Sequence, residues 1–383
     1  MIKKKQIIIV ITILIISCFI LSLIIFIFSN KIRNIDVELH FDENKAYRSI
    51  KVQIEIGPRI PGTNESNETI YYFVQKIKDI NPNITYIIQK FDVKSTDCQN
   101  LLIKINEKED DIVILGAHYD SRAKATKDNE DRDKPVPGAN DGASGCAVLL
   151  ELARDLYKER NNLDCQIWFV LFDAEDQGED EGGYGIDGWN WCEGSNEFVE
   201  HIDDFYDSDN ENFECMILLD MVGGTNLQFI NEQYSTSSLV DEIFEIGREL
   251  GYNKEFPTFP YTSSVTDDHV TFAEKGIPSA DLIIKFWDNP DWPYHHTTND
   301  DIDHISKESL KVTGRTIEQF IYNNYLDKNW NTYKGNKPWQ TDINALDTEL
   351  VIFFGIIIAS LSGLIIFVYL YRKKTVRDQI EKK

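Results

Sequence analysis

Short apolar runs recur along the chain and are separated by amphipathic segments. The runs at 112–117 (IVILGA), 165–172 (CQIWFVLF) and 215–219 (CMILL) are almost free of polar residues. Continuous apolar runs of this length are typical of strands that are covered on both faces of a sheet. Residues 85–93 and 101–105 predict an antiparallel pair of strands at the edge of that sheet.

The amphipathic segments between these runs predict helices. Residues 143–159, 237–250 and 307–325 carry apolar side chains at helical spacing. Asp141 stands where it would cap the first of these helices, and Gly251 ends the second. Strands and helices in alternation predict an α/β fold that is built on a doubly wound sheet.

Five short segments place side chains that can bind metal at the ends of apolar runs. They are LGAHYDS with His118, PGANDGASG with Asp141, FDAEDQG with Glu175 and Asp176, LLDMVGG with Asp220, and HHTTND with His296. In doubly wound folds, ligands bind outside the carboxyl ends of the strands. Each residue alone has an ordinary explanation, as a core or surface histidine or as a helix cap. Together they predict a site for a divalent metal such as zinc, which takes histidine nitrogen and carboxylate oxygen.

The adjacent carboxylates Glu175 and Asp176 indicate how such a site would work. Neighbouring side chains at the end of a strand point in different directions, so one can bind the metal while the other faces the substrate. The second carboxylate can then take a proton from water that the metal has activated. The pair therefore favours an enzyme over a purely structural metal site.

Two long apolar runs without charged residues predict transmembrane helices. Lysines precede the first run and basic residues follow the second, which places both termini in the cytoplasm by the positive-inside rule. A cleaved signal peptide is the alternative for the first run, but the run is longer than a typical signal-peptide core. The predicted multi-pass protein of the cell membrane has a tail (1–6), a helix (7–29), an external catalytic domain (30–330), a spacer (331–349), a second helix (350–371) and a basic tail (372–383).

Composition narrows the classes of partner and of metal site. The formal net charge of −25 argues against nucleic acid, whose phosphates need a cationic surface. Six cysteines occur without a CxxC pair, so a cysteine-based zinc site is disfavoured. The sequence does not decide whether Cys98 or Cys192 forms a disulfide.

Taken together, the motifs resemble the zinc aminopeptidases of clan MH, of the leucyl aminopeptidase and aminopeptidase Y type. The glutaminyl-peptide cyclotransferases are relatives within the same group. The resemblance starts at GPRIPGT, covers about 56–325, and preserves the order of all the motifs. It implies an α/β fold with a mixed, largely parallel sheet of about eight strands that is sandwiched by helices.

The resemblance also implies a role for each residue of the site. The metal ligands form two groups that share Asp141 as a bridge, namely His118 with Asp220 and Asp176 with His296. Glu175 would be the general base, and Asp120 in the HYD motif would orient the imidazole of His118. The resemblance implies two zinc ions. Most relatives have Glu-Glu where this chain has Glu175-Asp176, and because Asp is one methylene shorter, a centre with one ion is the alternative.

The reaction is less sharply indicated than the site. The segment SVTDDHVTFAEKGIP resembles a cyclotransferase segment whose aspartate, here matched to Asp268, joins a hydrogen-bond network with the catalytic glutamate. Cyclotransferases, however, have tryptophan where this chain has His295. The motifs favour an aminopeptidase that hydrolyses N-terminal residues from peptides, with a glutaminyl-peptide cyclotransferase as the alternative. A non-catalytic receptor-like domain is disfavoured because every ligand and the base are present. Four tryptophans are candidates for lining a substrate pocket: Trp189, Trp191, Trp287 and Trp292.

Overall fold

The computed structural model of the chain describes residues 35–179, 186, 188–326, 337 and 339. The two predicted transmembrane helices, at 7–29 and 350–371, and both predicted tails lie outside the described residues. Within the part of the chain that is described, no helix has the length and apolar character needed to span a bilayer.

A six-stranded sheet forms the centre of the described region. Its strands are β1 (Thr85–Val93), β2 (Thr96–Ile105), β3 (Asp111–His118), β4 (Gln166–Phe172), β5 (Asn212–Leu219) and β8 (Ser279–Leu282). They lie side by side in the order β1-β2-β4-β3-β5-β8. Strand β3 pairs in parallel with β4 and β5, and β5 pairs in parallel with β8, whereas β1, β2 and β4 pair antiparallel. The mixed, mainly parallel α/β sheet is confirmed.

The sheet has fewer strands than the family resemblance implied. Six strands lie in the main sheet among the described residues, rather than about eight. The remaining two strands, β6 (Asn231–Glu232) and β7 (Thr262–Ser263), are short and pair only with each other. The predicted antiparallel edge pair corresponds to β1 and β2.

Seven helices cover the sheet in the described region. They are α1 (Glu43–Ile56), α2 (Asn64–Ile80), α3 (Ala143–Glu159), α4 (Glu193–Glu200), α5 (Ser237–Glu249), α6 (His269–Glu274) and α7 (Lys307–Tyr325). The helices predicted at 143–159 and 307–325 match α3 and α7, and the one predicted at 237–250 matches α5, which ends one residue early. Side chains Asp42 and Thr63 cap α1 and α2, and these capping residues were a sequence signal for two helices that the periodicity did not reveal.

The central strands are buried because helices cover both faces. Every residue of β4 is buried, as are seven of the eight residues of β3. On one face Trp168 and Phe172 pack in a cluster with Phe198 of α4 and Phe272 of α6. Helix α3 packs against β3 and contacts α1 and α7. This double cover explains why the strand sequences read as continuous apolar runs.

Asp141 does not cap α3, contrary to the sequence prediction. The N-cap residue is Gly142, and no side chain caps the helix. A Cβ atom on Gly142 would lie 2.3 Å from the His118 carbonyl oxygen and 2.6 Å from His118 Nε2. Glycine therefore lets the chain pass close to His118, and the Asp141 carboxylate faces that histidine. The five cysteines of the described region are free and buried, so neither Cys98 nor Cys192 forms a disulfide there.

Candidate metal centre and active site

The carboxyl ends of three adjacent parallel strands bring the predicted residues to one edge of the sheet. His118 is the last residue of β3 and pairs in register with Phe172, the last residue of β4. Glu175 follows β4 by three residues, and Asp220 directly follows β5. The site therefore forms where the strand order predicts it.

His118 lies between two of the predicted carboxylate ligands. Its Nε2 atom is 3.1 Å from Asp141 Oδ1 and 3.1 Å from Asp220 Oδ1. Its other ring nitrogen, Nδ1, is 3.4 Å from Asp120 Oδ1. One ligand atom from each of His118, Asp141 and Asp220 lies within 4.8 Å of the others, a spacing that suits a metal ion.

His296 and Asp176 lie on the other side of Asp141. His296 Nε2 is 2.9 Å from Asp176 Oδ1 and 3.8 Å from Asp141 Oδ2. The two oxygens of Asp141 thus face different histidines, which is the arrangement expected of a bridging carboxylate. The shorter side chain of Asp176 still reaches His296. The group of ligand atoms within 4.8 Å of one another on this side, however, consists of Asp141, His295 and His296, so His295 is a potential donor that the sequence did not indicate.

The donor set fits a divalent cation. Asp176 Oδ2 is buried and has no hydrogen-bond partner among the described residues. Burial raises the pKa of Asp176 well above its usual range and that of Asp220 to about 6. Carboxylates in this situation are stabilised in their charged form by a bound cation, and imidazole with carboxylate is a common zinc donor set.

Glu175 is buried beside a second acidic side chain. Its exposed fraction is 8%, and burial raises the pKa of its carboxyl group well above the ordinary value. Ligand atoms of Glu175, Cys192 and Asp267 lie within 4.8 Å of one another. Asp267 directly precedes Asp268, which the sequence matched to the aspartate of the cyclotransferase network, and both carboxylates raise the pKa of Glu175. Asp268 is fully buried, and burial raises the pKa of its carboxyl to about 7.

A cavity of about 440 Å³ opens above these residues. Acidic side chains, including Glu175 and Asp267, line one part of it. Trp191 and Trp287 line the apolar part together with Ile283 and Phe286. The Trp191 ring stacks on the His296 ring with centroids 6.0 Å apart and planes 6° apart. Two of the four tryptophans considered in the sequence therefore line this cavity.

Comparison with known proteins agrees with the motifs and the sheet. The sequence profile of Peptidase family M28 matches residues 100–321. The chain belongs to peptidase family M28. This family contains zinc aminopeptidases and glutaminyl cyclases, and the predicted resemblance is confirmed.

Relatives of this M28 protein include enzymes of both types. It is 32% identical over 223 residues to aminopeptidase YwaD of Bacillus subtilis, a match that covers 57% of this chain and 42% of YwaD. It is 24% identical over 292 residues to glutaminyl-peptide cyclotransferase of Bos taurus, covering 70% of this chain and 78% of that enzyme. The chain thus spans less than half the length of YwaD and about three quarters of the bovine enzyme.

Solved structures show the same fold. A Zn-dependent exopeptidase from Parabacteroides distasonis superposes with a TM-score of 0.67 at 29% identity, covering 75% of this chain and all of that chain. Glutaminyl cyclase of Tannerella forsythia superposes with a TM-score of 0.68 at 30% identity, with the same coverage. Both similarities support the mixed α/β assignment of the M28 domain.

Three further residues position the site of this M28 protein. Asp120 is fully buried and accepts hydrogen bonds from the backbone N–H groups of Glu175 and Asp176, each at 3.1 Å. Arg122 Nη1 donates to the Asp176 carbonyl at 2.8 Å and lies 3.4 Å from Asp176 Oδ1. Asp300 accepts from the backbone N–H of Asp141 at 3.1 Å.

Of these three residues, only Asp120 was predicted from the sequence. Arg122 follows the HYDS segment and Asp300 ends the HHTTND segment, so both lie next to recognised motifs. No spacing rule indicates that an arginine contacts a carboxylate 54 residues away along the chain. These roles depend on long-range packing. Asp120 is fully buried and is not among the residues that line the cavity, a location that suits a positioning role.

Proposed function

We propose that this M28 protein converts the N-terminal glutamine of peptides to pyroglutamate. The observation that carries the proposal is the buried group of Glu175 with Asp267 at a cavity that aromatic rings line in part. In the cyclotransferase-like segment the sequence matched Asp268 to an aspartate in a network with the catalytic glutamate, and Asp267 is the residue before it. Similarity to the bovine and Tannerella forsythia enzymes supports the same reaction.

The chemistry of cyclisation needs a group that moves one proton. The α-amine of the substrate attacks its own side-chain carboxamide carbon, a C–N bond forms, and the bond to the amide nitrogen breaks with release of ammonia. The proton lost by the amine must reach the departing nitrogen. Glu175 is suited to accept and return that proton, because burial and the neighbouring Asp267 raise its pKa.

The candidate metal ligands would act on the carbonyl side of the reaction. Asp141, Asp176 and His296 would hold a zinc ion, and His118 and Asp220 together with Asp141 would hold a second ion if one binds. Bound zinc supplies a Lewis acid that polarises the substrate carbonyl. Arg122 holds Asp176 in place, and its guanidinium lies 4.8 Å from the centre of the Trp191 ring.

Water and the substrate amine compete to attack the carboxamide carbon. An apolar wall that excludes water therefore favours attack by the amine. Trp191 is held between His296 and Arg122, and Phe286 and Trp287 complete the wall. Apolar rings that pack over the substrate side chain exclude water from the reacting carbon. The cavity is large enough for a terminal residue and the first peptide bonds.

Hydrolysis of N-terminal residues is the second candidate, and it is the reaction that the sequence motifs favoured. Two observations support it. The second ligand group of His118, Asp141 and Asp220 is intact, which suits a two-metal peptidase, and the chain is similar to aminopeptidase YwaD. In this reaction Glu175 would take a proton from the attacking water. The receptor-like alternative has no observation in its favour.

We further propose that the catalytic domain acts outside the cell membrane, anchored by helices at 7–29 and 350–371 with both termini in the cytoplasm. The two apolar runs and their basic flanks in the sequence support this topology. Added protease should then degrade the domain on intact cells. Protection of the domain until the cells are lysed would contradict the topology.

One incubation separates the two reactions. The full-length protein is incubated with two peptides of equal length that begin with Gln or with Leu, and the products are resolved by mass spectrometry. Cyclisation removes one ammonia from the Gln peptide without shortening it. Hydrolysis releases a free N-terminal residue instead. A zinc-replete protein that yields neither product would contradict both reactions.

A further inference from the structure

We propose that Glu175, Cys192 and Asp267 form an additional cation site, separate from the main metal centre. It binds thiophilic divalent ions such as Cd²⁺, or Zn²⁺ in excess, and the bound ion inhibits the enzyme. None of its three residues belongs to the metal-ligand set described above. The inhibitory consequence rests on the proposed role of Glu175 as the base, whereas the binding of the ion does not.

The geometry brings a thiol and two carboxylates to one point. One ligand atom from each residue lies within 4.8 Å of the other two. The exposed fractions of Glu175, Cys192 and Asp267 are 8%, 5% and 4%. The Cys192 thiol lies 3.5 Å from Glu175 Oε1. Sulfur with two oxygens is a donor set that favours zinc and softer ions over magnesium or calcium.

An unsatisfied carboxylate oxygen points independently to a ligand here. Asp267 Oδ1 accepts a hydrogen bond from the backbone N–H of Asp268 at 2.6 Å. Its other oxygen, Oδ2, is buried and has no hydrogen-bond partner among the described residues. A buried acceptor without a partner costs free energy, and a cation bound by this residue would recover it.

The backbone holds the thiol beside the base. The N–H of Cys192 donates to the Glu175 carbonyl at 3.0 Å, and Cys192 adopts a left-handed conformation with φ of 60° directly before α4. Glu175 and Asp267 both line the main cavity, so an ion can reach the group from the substrate side. The site is therefore preorganised and accessible to an ion in solution.

Binding needs no oxidant or other reactant. The metal–sulfur bond forms as the Cys192 S–H bond breaks, and the proton passes to the buffer. Once Glu175 coordinates the ion, its carboxylate no longer accepts a proton from the substrate. Excess ion should therefore inhibit the enzyme while the main metal centre stays loaded.

Cadmium tests binding without any measurement of turnover. Full-length zinc-loaded protein is titrated with Cd²⁺, and the ultraviolet absorption of the Cd–thiolate bond is recorded. The main metal centre has no cysteine ligand, so its exchange for cadmium contributes nothing to this band. Cys192→Ala and Cys192→Ser should lose absorbance relative to the wild type. Cys215→Ala, which removes another buried thiol, should keep the Cys192 contribution.

Inhibition by excess Zn²⁺ is then measured relative to the uninhibited rate of each protein. The half-inhibiting concentration should rise by about tenfold or more in Cys192→Ala and Asp267→Asn. Thermal unfolding identifies any variant that fails to fold, and Cys192→Ser serves if Cys192→Ala does so. Equal cadmium bands and equal zinc inhibition in wild type and Cys192 variants would overturn the proposal. A wild-type cadmium band without turnover of either peptide would instead contradict the proposed function alone.

Discussion

The carboxylate of Asp120 accepts a hydrogen bond from the backbone N–H of Glu175 at 3.1 Å. Its other contacts include His118 Nδ1 at 3.4 Å and the side-chain amide of Gln177 at 2.8 Å. One buried carboxylate therefore contacts a proposed metal ligand, His118, and holds the loop that carries the proposed base. Metal affinity and base placement should change together when Asp120 is altered.

Replacing Asp120 with Asn tests this coupling. The asparagine side chain would present an NH₂ group toward donors that now meet an oxygen, so one of these hydrogen bonds must break. We expect zinc affinity to fall by about 10- to 100-fold, together with a lower kcat at saturating zinc. Competition with a chelator measures the affinity. Asp97→Asn, on an exposed part of β2, is the control, and an Asp120→Asn protein with full affinity and full kcat would contradict the coupling.

Replacing Glu175 with Gln removes the proposed base and keeps the shape of the side chain. We expect kcat to fall by roughly 10²- to 10⁴-fold, because the proton acceptor is lost. Zinc content, measured by mass spectrometry, should stay unchanged because Glu175 is not a proposed ligand of the main metal centre. Glu179→Gln, an exposed position of the same loop, should keep the wild-type rate. If Glu175→Gln turns over as fast as the wild type, another residue is the base.

Adding one methyl group at Gly178 should disturb the aromatic wall. A Cβ atom there would lie 2.4 Å from Cδ2 of Trp191, so the ring must move away from its stacked position on His296. We expect Gly178→Ala to lower kcat/KM by about tenfold, equivalent to about 1.4 kcal/mol of transition-state stabilisation. Steady-state kinetics with the N-terminal Gln peptide measures this loss. An unchanged kcat/KM in both Gly178→Ala and Trp191→Leu would show that the indole does not contact substrate.

Removing the metal should affect both activity and stability. Buried Asp141, Asp176 and Asp220 repel one another without a cation, so a chelator should abolish turnover and lower the Tm. At a thousandfold excess over Kd, a ligand that binds only the folded state contributes about 4 kcal/mol. Calorimetry with and without added Zn²⁺ measures the change. A chelated, metal-free protein with unchanged Tm and activity would contradict the metal centre.

The buried carboxyl group of Glu242 should make the free energy of unfolding decrease as the pH rises. Only 1% of this residue is exposed, and burial raises the pKa of its carboxyl to about 7, although Asn324 donates to Oε1 at 2.9 Å. The folded state then keeps a proton that the unfolded state loses at about pH 4.3, so stability declines between about pH 4.3 and pH 7. Unfolding by urea at several pH values measures this decline.

The matched change is Glu242→Gln, which keeps the acceptor for Asn324 and removes the buried charge. At pH 8 we expect Glu242→Gln to raise the free energy of unfolding by roughly 1–3 kcal/mol. At pH 4 the same substitution should change the free energy of unfolding little. Glu245→Gln, on the same helix but paired with Arg248 at the surface, is the control without this pH dependence. A Glu242→Gln protein with the same pH dependence as the wild type would show that another group causes the decline.

Periodicity and motifs predicted the central part of the fold. The runs that form β3, β4 and β5 are apolar throughout because helices cover both of their faces, and α3 and α7 follow from helical spacing. The predicted metal-binding residues then meet because parallel neighbouring strands end at one edge. The two short strands β6 and β7 have no comparable pattern. Their pairing depends on contacts between segments about thirty residues apart.

The sequence by itself determined the α/β class and the family, and it predicted the set of residues proposed for the metal centre, because local periodicity and motif order carry that information. Only the tertiary structure decided that Asp141 faces His118 instead of capping α3, and that Cys192 and Asp267 lie beside Glu175. These contacts join residues far apart in the chain. They depend on how loops pack between strands, and a linear pattern does not encode the direction in which a loop side chain points.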